Sequence, residues 1–245
     1  MNLDTYGISF FPFSEHTILI RFSYIDQIEL THSILSVSKH ITQERGDKLT
    51  ECIPTYSSLL LYYKLPISNI SYEIQLLTKL LANWEIQPVN YRRIWKIPVC
   101  YHEPFGEDLG EVSQKLSLST DAIVSLHTSI SYVVCFMGFL PGFPYLYGLP
   151  SELHIPRRKF PKPKISGGSV ALAAGQTGIY TVESPGGWYV IGKTPIRFFD
   201  VGQQSPCFLE PGDQIQFKAI NTEEYQRLEK QPKNKNFLLP KIVNI

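Results

Sequence analysis

Ten of the sixteen glycines in this chain fall between residues 136 and 195, in two runs. The first is Phe136-Met-Gly-Phe-Leu-Pro-Gly-Phe-Pro-Tyr-Leu-Tyr-Gly-Leu-Pro150. The second runs from Ile165-Ser-Gly-Gly-Ser-Val170 through Gln176-Thr-Gly-Ile-Tyr180 to Ser184-Pro-Gly-Gly-Trp188. Glycine reaches positive φ and lets backbones approach closely, while proline fixes φ and removes an N–H donor. Helical periodicity disappears from Tyr132 onward, and aromatic residues set among the turn formers supply apolar walls. The pattern predicts a rigid, concave surface carried on tight turns.

Short β-rich stretches alternate with these turns at Ser131–Phe136, Ser169–Ala173, Gly178–Val182, Trp188–Ile191, Pro195–Phe199 and Gln214–Lys218. Many short strands with closely spaced turn signals predict a barrel or sandwich. Before them, residues 102–130 read as short helices, with Ser119-Thr-Asp121 as an N-cap cluster ahead of Ala122–His127.

The first ninety residues read differently. Thr17–Tyr24 has strand composition, and Asp26 can cap a following segment in which Ile28, Thr31, Leu35 and Ile41 keep an approximate helical period, ending near Gly46. Strands follow at Leu49–Ile53 and Ser57–Tyr63. Ser68 then precedes an amphipathic helix with Ile70, Ile74, Leu77, Leu81 and Trp84 on one face. With Tyr91–Tyr101 as a closing strand, the order strand–helix–strand–strand–helix–strand predicts a small α+β domain of ferredoxin-like type over residues 1–90. A mainly-β barrel domain over 91–220 and a C-terminal tail over 221–245 complete the expected organisation. The tail is polar at Glu229–Asn236, and its apolar end Phe237–Val243 is suited to docking on the body or on a partner.

Bulk properties remove several classes of function. A net charge of +1 offers no broad basic face for nucleic acid. No apolar run is long enough to span a membrane, and the N-terminus lacks the pattern of a secretory signal. The four cysteines, Cys52, Cys100, Cys135 and Cys207, show no metal-ligand spacing and read as reduced thiols, so a cytoplasmic protein is expected.

Between Ile165 and Gly192 the only formal charge is Glu183, which predicts a packed segment rather than a solvated loop. A barrel built with tight turns accounts for much of this. It does not account for the polar groups left inside, which need partners, and closely spaced glycines also let N–H groups converge on an anion. His127 reads either as a core histidine or as a general acid/base. Arg157 and Arg158, followed by Lys159, Lys162 and Lys164, read either as a solvated basic loop or as a carboxylate or phosphate recognition element, to which Lys193 and Arg197 could add.

The tract Leu126–Pro150 resembles the signature of the 5-oxoprolinase B-subunit family, which includes the sporulation kinase inhibitor KipI. The family is also called allophanate hydrolase subunit 1, or carboxyltransferase subdomain C/D. A second signature matches at Pro156-Arg157, Gly168-Ser-Val170, Gln176–Tyr180, Ser184–Trp188, Ile191–Pro195, Phe199-Asp200 and Pro211-Gly-Asp213. The resemblance implies a cyclophilin-like β-barrel behind the small α+β domain. It also implies an ATP-hydrolysing enzyme that opens 5-oxo-L-proline to L-glutamate together with the A and C subunits, with ATP used by the assembled complex and no biotin on this chain. A KipI-like inhibitor of a sensor histidine kinase is the alternative, and a part of a biotin-dependent carboxyltransferase is a third.

The residues expected to bind substrate or phosphate are Gly142, Phe143, Arg157, Arg158, Gly167, Gly168, Gln176, Thr177, Ser184, Gly186, Gly187 and Trp188, with His127 as the expected catalytic acid/base. The chain departs from the family pattern in three places. A usual Gly-Gly pair is missing at His102-Glu-Pro-Phe-Gly-Glu-Asp-Leu109, Pro161-Lys162 replaces a second Pro-Arg, and Ser166-Gly-Gly-Ser-Val170 replaces Pro-Ala-Gly-Ser-Val.

Overall fold

The computed structural model describes residues 7–23, 27–82, 91–231 and 241–244. Contacts divide the chain into two compact units, Met1–Asn90 and Tyr91–Ile245.

In the first unit, β1 (Ser9–Ser14), β2 (Thr17–Arg21), β3 (Leu49–Pro54) and β4 (Ser58–Tyr63) form an antiparallel sheet in the order β1-β2-β4-β3. Period-two alternation turns Ile18, Ile20, Leu59, Leu61 and Tyr63 onto one face, where they pack against helices α1 (Gln27–Arg45) and α2 (Ile70–Ala82). The buried stripe of α1 is Leu30, Ile34, Val37 and Ile41, a 4-3-4 spacing. Ile28 is exposed and Leu35 only half-buried, so the face expected from Ile28 and Leu35 is rotated from the real one. Glu73 of α2 is buried, where it accepts from Arg45 and from the Tyr63 hydroxyl (3.0 Å). Trp84 and Asp26 lie outside the described residues.

The closing strand expected at Tyr91–Tyr101 does not join this sheet. Its place beside β2 is taken by β1, which carries Pro12 and was not expected. Proline removes a ladder donor, and an edge position tolerates that loss. The order is therefore strand–strand–helix–strand–strand–helix, and the expected ferredoxin-like order is corrected.

The strand Tyr91–Cys100 (β5) opens the second unit instead. Two helices follow, α3 (Leu109–Leu116) and α4 (Thr120–Thr128), the latter N-capped by Ser119, whose hydroxyl accepts from the Ala122 N–H at 3.1 Å. Next come β6 (Ser131–Met137), β7 (Pro144–Tyr147), a 3₁₀ turn at Ser151–Leu153, β8 (Lys162–Ile165), β9 (Ser169–Ala173), β10 (Gln176–Ile179), β11 (Ser184–Gly186), β12 (Tyr189–Lys193) and β13 (Gln214–Ile220). Helix α5 (Thr222–Glu229) and strand β14 (Lys241–Asn244) end the described chain.

Strands β12-β9-β10-β7-β6-β13-β5 form a continuous ladder that a β12–β5 pairing closes into a seven-stranded barrel. Closure removes the free sheet edges that would otherwise invite association. The pair β13–β5 is parallel, and the other described pairings are antiparallel. Strand β14 runs along the start of β5, so residues 241–244 dock on the body. Phe237–Pro240 lie outside the described residues. Pro195–Phe199 is not a strand; Phe199 makes an isolated bridge to Cys207. Pro195 cannot donate to a ladder, and the Thr194 hydroxyl takes up the Ile196 N–H (3.2 Å). The short strands β7, β8 and β11 lie in Pro- and Gly-rich stretches where alternation is too brief to read. Among the described residues no helix is long and apolar enough to cross a membrane.

The β9–β10 hairpin turns on Ala174 and Gly175, with φ of +49° and +74°. Two positive φ values in a two-residue loop match the twist of the flanking strands, and Ala is a poor fit at the first. Ala174→Gly is expected to raise stability by about 1 kcal/mol, read as a higher Tm, because the left-handed region costs a Cβ-bearing residue about that much. An unchanged or lowered Tm would show that the turn does not hold this conformation.

Candidate functional site

The two glycine-rich runs meet on the outside of the barrel in a cleft of about 330 Å³. Its walls are Phe143, Tyr145, Tyr180 and Trp188, its rim includes Phe139, Arg157 and Pro161, and Gly186 and Gly187 line it with backbone. Phe143 stands edge-on to both Tyr180 (5.4 Å between centroids) and Trp188 (5.6 Å), an arrangement favoured by the ring quadrupoles. Gly186 is required here, because a Cβ would land on the Tyr180 hydroxyl and 2.8 Å from Ile165 Cδ1. The Trp188 backbone N–H donates to that same tyrosine oxygen. Burial pushes the Tyr180 phenol up to about 12, so it stays protonated at neutral pH.

Arg157 is exposed, with its guanidinium carbon 5.9 Å from the Trp188 ring centre. Burial raises the pKa of Tyr145, while the charge of Arg157 draws it down. No ion pair to Arg157 occurs among the described residues. The cleft therefore presents a cation beside an aromatic wall.

Arg158 behaves differently, although it is adjacent in sequence. Its side chain is 16% exposed and donates to Asp108 (2.7 Å) and Glu111 (2.6 Å), with the guanidinium 4.1 Å from the Tyr189 ring. Lys162 also reaches Asp108 (2.7 Å) and Glu107 (3.1 Å). Asp108 is buried and uses its second oxygen to accept the Val190 N–H at 2.8 Å. Arg158 is thus tied to carboxylates through one guanidinium nitrogen, its buried Nε has no hydrogen-bond partner among the described residues, and the residue also lines the cleft. Asp108 is the residue that sequence reasoning missed. It lies in the segment noted only for its missing glycines, and nothing local marks a carboxylate that pairs with residues fifty positions later.

His127 also departs from its expected role. It is fully buried, stacks on Phe217 at 4.6 Å, and has both ring nitrogens engaged, Nδ1 with the Tyr101 hydroxyl (2.8 Å) and Nε2 with Thr177 Oγ1 (2.9 Å). The Thr177 hydroxyl donates to the Ala171 carbonyl (3.2 Å). The chain Tyr101 O–H to Nδ1, Nε2–H to Thr177, and Thr177 to Ala171 is fully satisfied by a neutral ring. Desolvation by burial drives the His127 pKa down to about 3. The structure places this histidine in the core with both nitrogens engaged, and Thr177 is its hydrogen-bond partner there.

Gly167 and Gly168 line a second, more polar cleft of about 250 Å³ with Thr181, Lys193, Thr194, Arg197 and Glu229. Gly168, at φ +85°, has no room for a Cβ beside the Thr194 carbonyl (2.6 Å). Gly142 sits behind the first cleft against Cys207 and Phe199. Gln176 opens β10 opposite Ala173, and the Ser184 hydroxyl turns to the Pro185 carbonyl (3.2 Å). Of the expected binding residues, Phe143, Arg157, Arg158, Gly186, Gly187 and Trp188 converge in one cleft, and the remaining ones do not.

A closed barrel bearing two glycine-rich signatures and an aromatic cleft defines the class. The chain belongs to the family described as carboxyltransferase domain, subdomain C and D, which matches residues 8–209. Among its relatives is the 5-oxoprolinase B subunit of Bacillus subtilis (strain 168), 32% identical over 225 residues that cover 86% of this chain and 92% of that protein. The protein of the same name from Escherichia coli O157:H7 is 38% identical over 173 residues, covering 69% of this chain and 77% of that one. Of solved structures, TTHA0988 superposes with a TM-score of 0.72 at 32% identity, over 84% of this chain and 40% of that one. This chain therefore matches two fifths of the TTHA0988 chain.

Proposed function

We propose that this chain is the B subunit of an ATP-dependent 5-oxoprolinase, and that the aromatic cleft receives 5-oxoproline. The observation that carries the reading is Arg157, a cation without an ion pair among the described residues, set against Trp188 in a cleft of about 330 Å³. 5-Oxoproline is a compact ring with one carboxylate. The carboxylate suits the planar donors of a guanidinium, and the ring suits an aromatic wall. The names of the bacterial relatives support the same reading.

In the reaction, the lactam C–N bond breaks, the carbonyl carbon gains the oxygen of water, and the nitrogen gains a proton, giving glutamate. An amide is a poor electrophile, so ATP hydrolysis in the complex with the A and C subunits supplies the driving force. Transfer of the γ-phosphoryl group of ATP to the lactam oxygen, with ADP leaving, would make the carbon more reactive; water then adds to that carbon, the C–N bond breaks, and inorganic phosphate is released. Lys193 and Arg197 line the second cleft and offer donors that a phosphate group of ATP would take, with Glu229 as the acidic group there.

Co-expression with the A and C subunits and an assay of glutamate release from 5-oxoproline test the reading. Arg157→Ala is expected to raise KM by about 10- to 100-fold, the worth of a hydrogen-bonded charge contact, with an unchanged Tm. A complete, folded complex that releases no glutamate would overturn the reading.

A further inference from the structure

We infer that Phe139 is the specificity-determining residue of the aromatic cleft, a wall fixed in advance that limits it to compact five-membered rings. The inference rests on the reading of that cleft as the lactam site.

Phe139 has φ +67°, a region that bulky residues rarely occupy. The Leu140 N–H donates to the Gly138 carbonyl at 2.8 Å, two residues back. With a positive φ between them, this is the strained form of the γ-turn. A glycine would meet the requirement without cost, and the chain has glycine on both sides, at 138 and 142. It nevertheless places phenylalanine at the apex.

The aromatic ring gains little in stability from its position, since Phe139 is 62% exposed. Its contacts are edge-on, to Phe143 (5.7 Å) and Tyr180 (6.4 Å), and both partners are walls of the cleft. The turn is also held from several directions. Gly138 N–H donates to Phe143 O (3.1 Å), Phe143 N–H to Leu140 O (3.0 Å), and the Thr181 hydroxyl to Pro141 O (2.7 Å). Strain that the surroundings over-determine is characteristic of binding and catalytic positions. The ring is therefore a fixed part of the cleft mouth rather than a mobile flap. A wall of that kind discriminates by size, and one extra methylene changes kcat/KM by about 10- to 200-fold in a tight apolar site.

The test compares 5-oxoproline with its six-membered homologue, 6-oxopiperidine-2-carboxylate, in the assembled complex. Phe139→Ala removes the ring and keeps a Cβ in the strained turn. Phe139→Gly removes the ring and relieves the strain. Both variants are expected to lower the five-to-six-membered kcat/KM preference by at least about tenfold. Phe139→Gly is expected to match or exceed the wild-type Tm, and Phe139→Ala to fall below Phe139→Gly. A purely structural Phe139 would shift Tm without moving the ratio. An active wild-type complex whose preference stays within about twofold in both variants overturns the inference alone. A wild-type complex inactive on 5-oxoproline removes the reading of the cleft and the inference with it.

Discussion

Between pH 6.5 and pH 4 the wild-type chain is expected to lose about 3 kcal/mol of stability that a His127→Gln variant does not lose. His127 is neutral inside the barrel, with its pKa driven down to about 3 by burial. In the unfolded chain the same ring titrates near its ordinary value, about 6.5. Over the window between these values the unfolded state binds more protons than the folded state. Stability therefore rises with pH across it, is fully present above about 6.5, and drains away as the solution is acidified, by at most about 1.4 kcal/mol per pH unit.

Paired carboxylates also titrate below about pH 5, so the diagnostic quantity is the difference between wild type and variant. Glutamine keeps a donor and an acceptor for Thr177 and Tyr101 but cannot take up the proton. Urea unfolding of both proteins at half-unit steps of pH measures it. Parallel curves for the two proteins would mean that His127 does not sit neutral in the core. His127→Ala carries a separate expectation. It opens a cavity beside Phe217 and Tyr132 and is expected to cost about 3–5 kcal/mol at pH 7.

His127 also shows where sequence reading ends. The helix that carries it, its N-cap at Ser119 and the strand after it were all legible, because capping and periodicity are local signals. Whether its ring faces the core or a cleft depends on Thr177 and Tyr101, fifty and twenty-six residues away, and no local pattern encodes that. The same limit explains Arg157 and Arg158. The dipeptide reads as one basic element, yet one guanidinium lines the cleft with no ion pair among the described residues and the other is locked to Asp108. The fold was legible to a similar depth. Strand Ser169–Ala173 was visible from its composition and turns. The partner of Tyr91–Cys100 was not, since its parallel neighbour Gln214–Ile220 arrives more than a hundred residues later. The cleft itself was the most legible part, because glycines that permit close approach and the aromatics that exploit it lie in the same two runs.

Asp108→Ala is expected to cost about 3 kcal/mol of stability and to depress kcat/KM for 5-oxoproline as well, whereas Arg157→Ala depresses kcat/KM and leaves Tm in place. Asp108 has a side chain 6% exposed and receives Arg158, Lys162 and the Val190 N–H. Its removal leaves two cations and one backbone donor short of a partner, and a buried charge without its partner costs more than the intact pair contributes. Glu111 retains Arg158 in part, but that carboxylate is 40% exposed and more strongly screened, so Glu111→Gln is expected to cost no more than about 1 kcal/mol.

The activity loss in Asp108→Ala follows from position. Arg158 and Lys162 are the two points at which the segment 158–162 is tied to Asp108 at the start of helix α3, and Arg157 and Pro161 beside them line the cleft. Released from Asp108, the segment no longer holds the Arg157 guanidinium over Trp188, and a displacement of about 1 Å at a positioning group suffices for a large loss of rate. Urea unfolding, limited proteolysis within 157–162 and glutamate release by the assembled complex report the three consequences separately. Faster cleavage in that segment with lowered activity is the expected joint result. An Asp108→Ala protein as stable as wild type would show that Glu111 and Glu107 alone hold the segment, and that Asp108 does not organise the cleft.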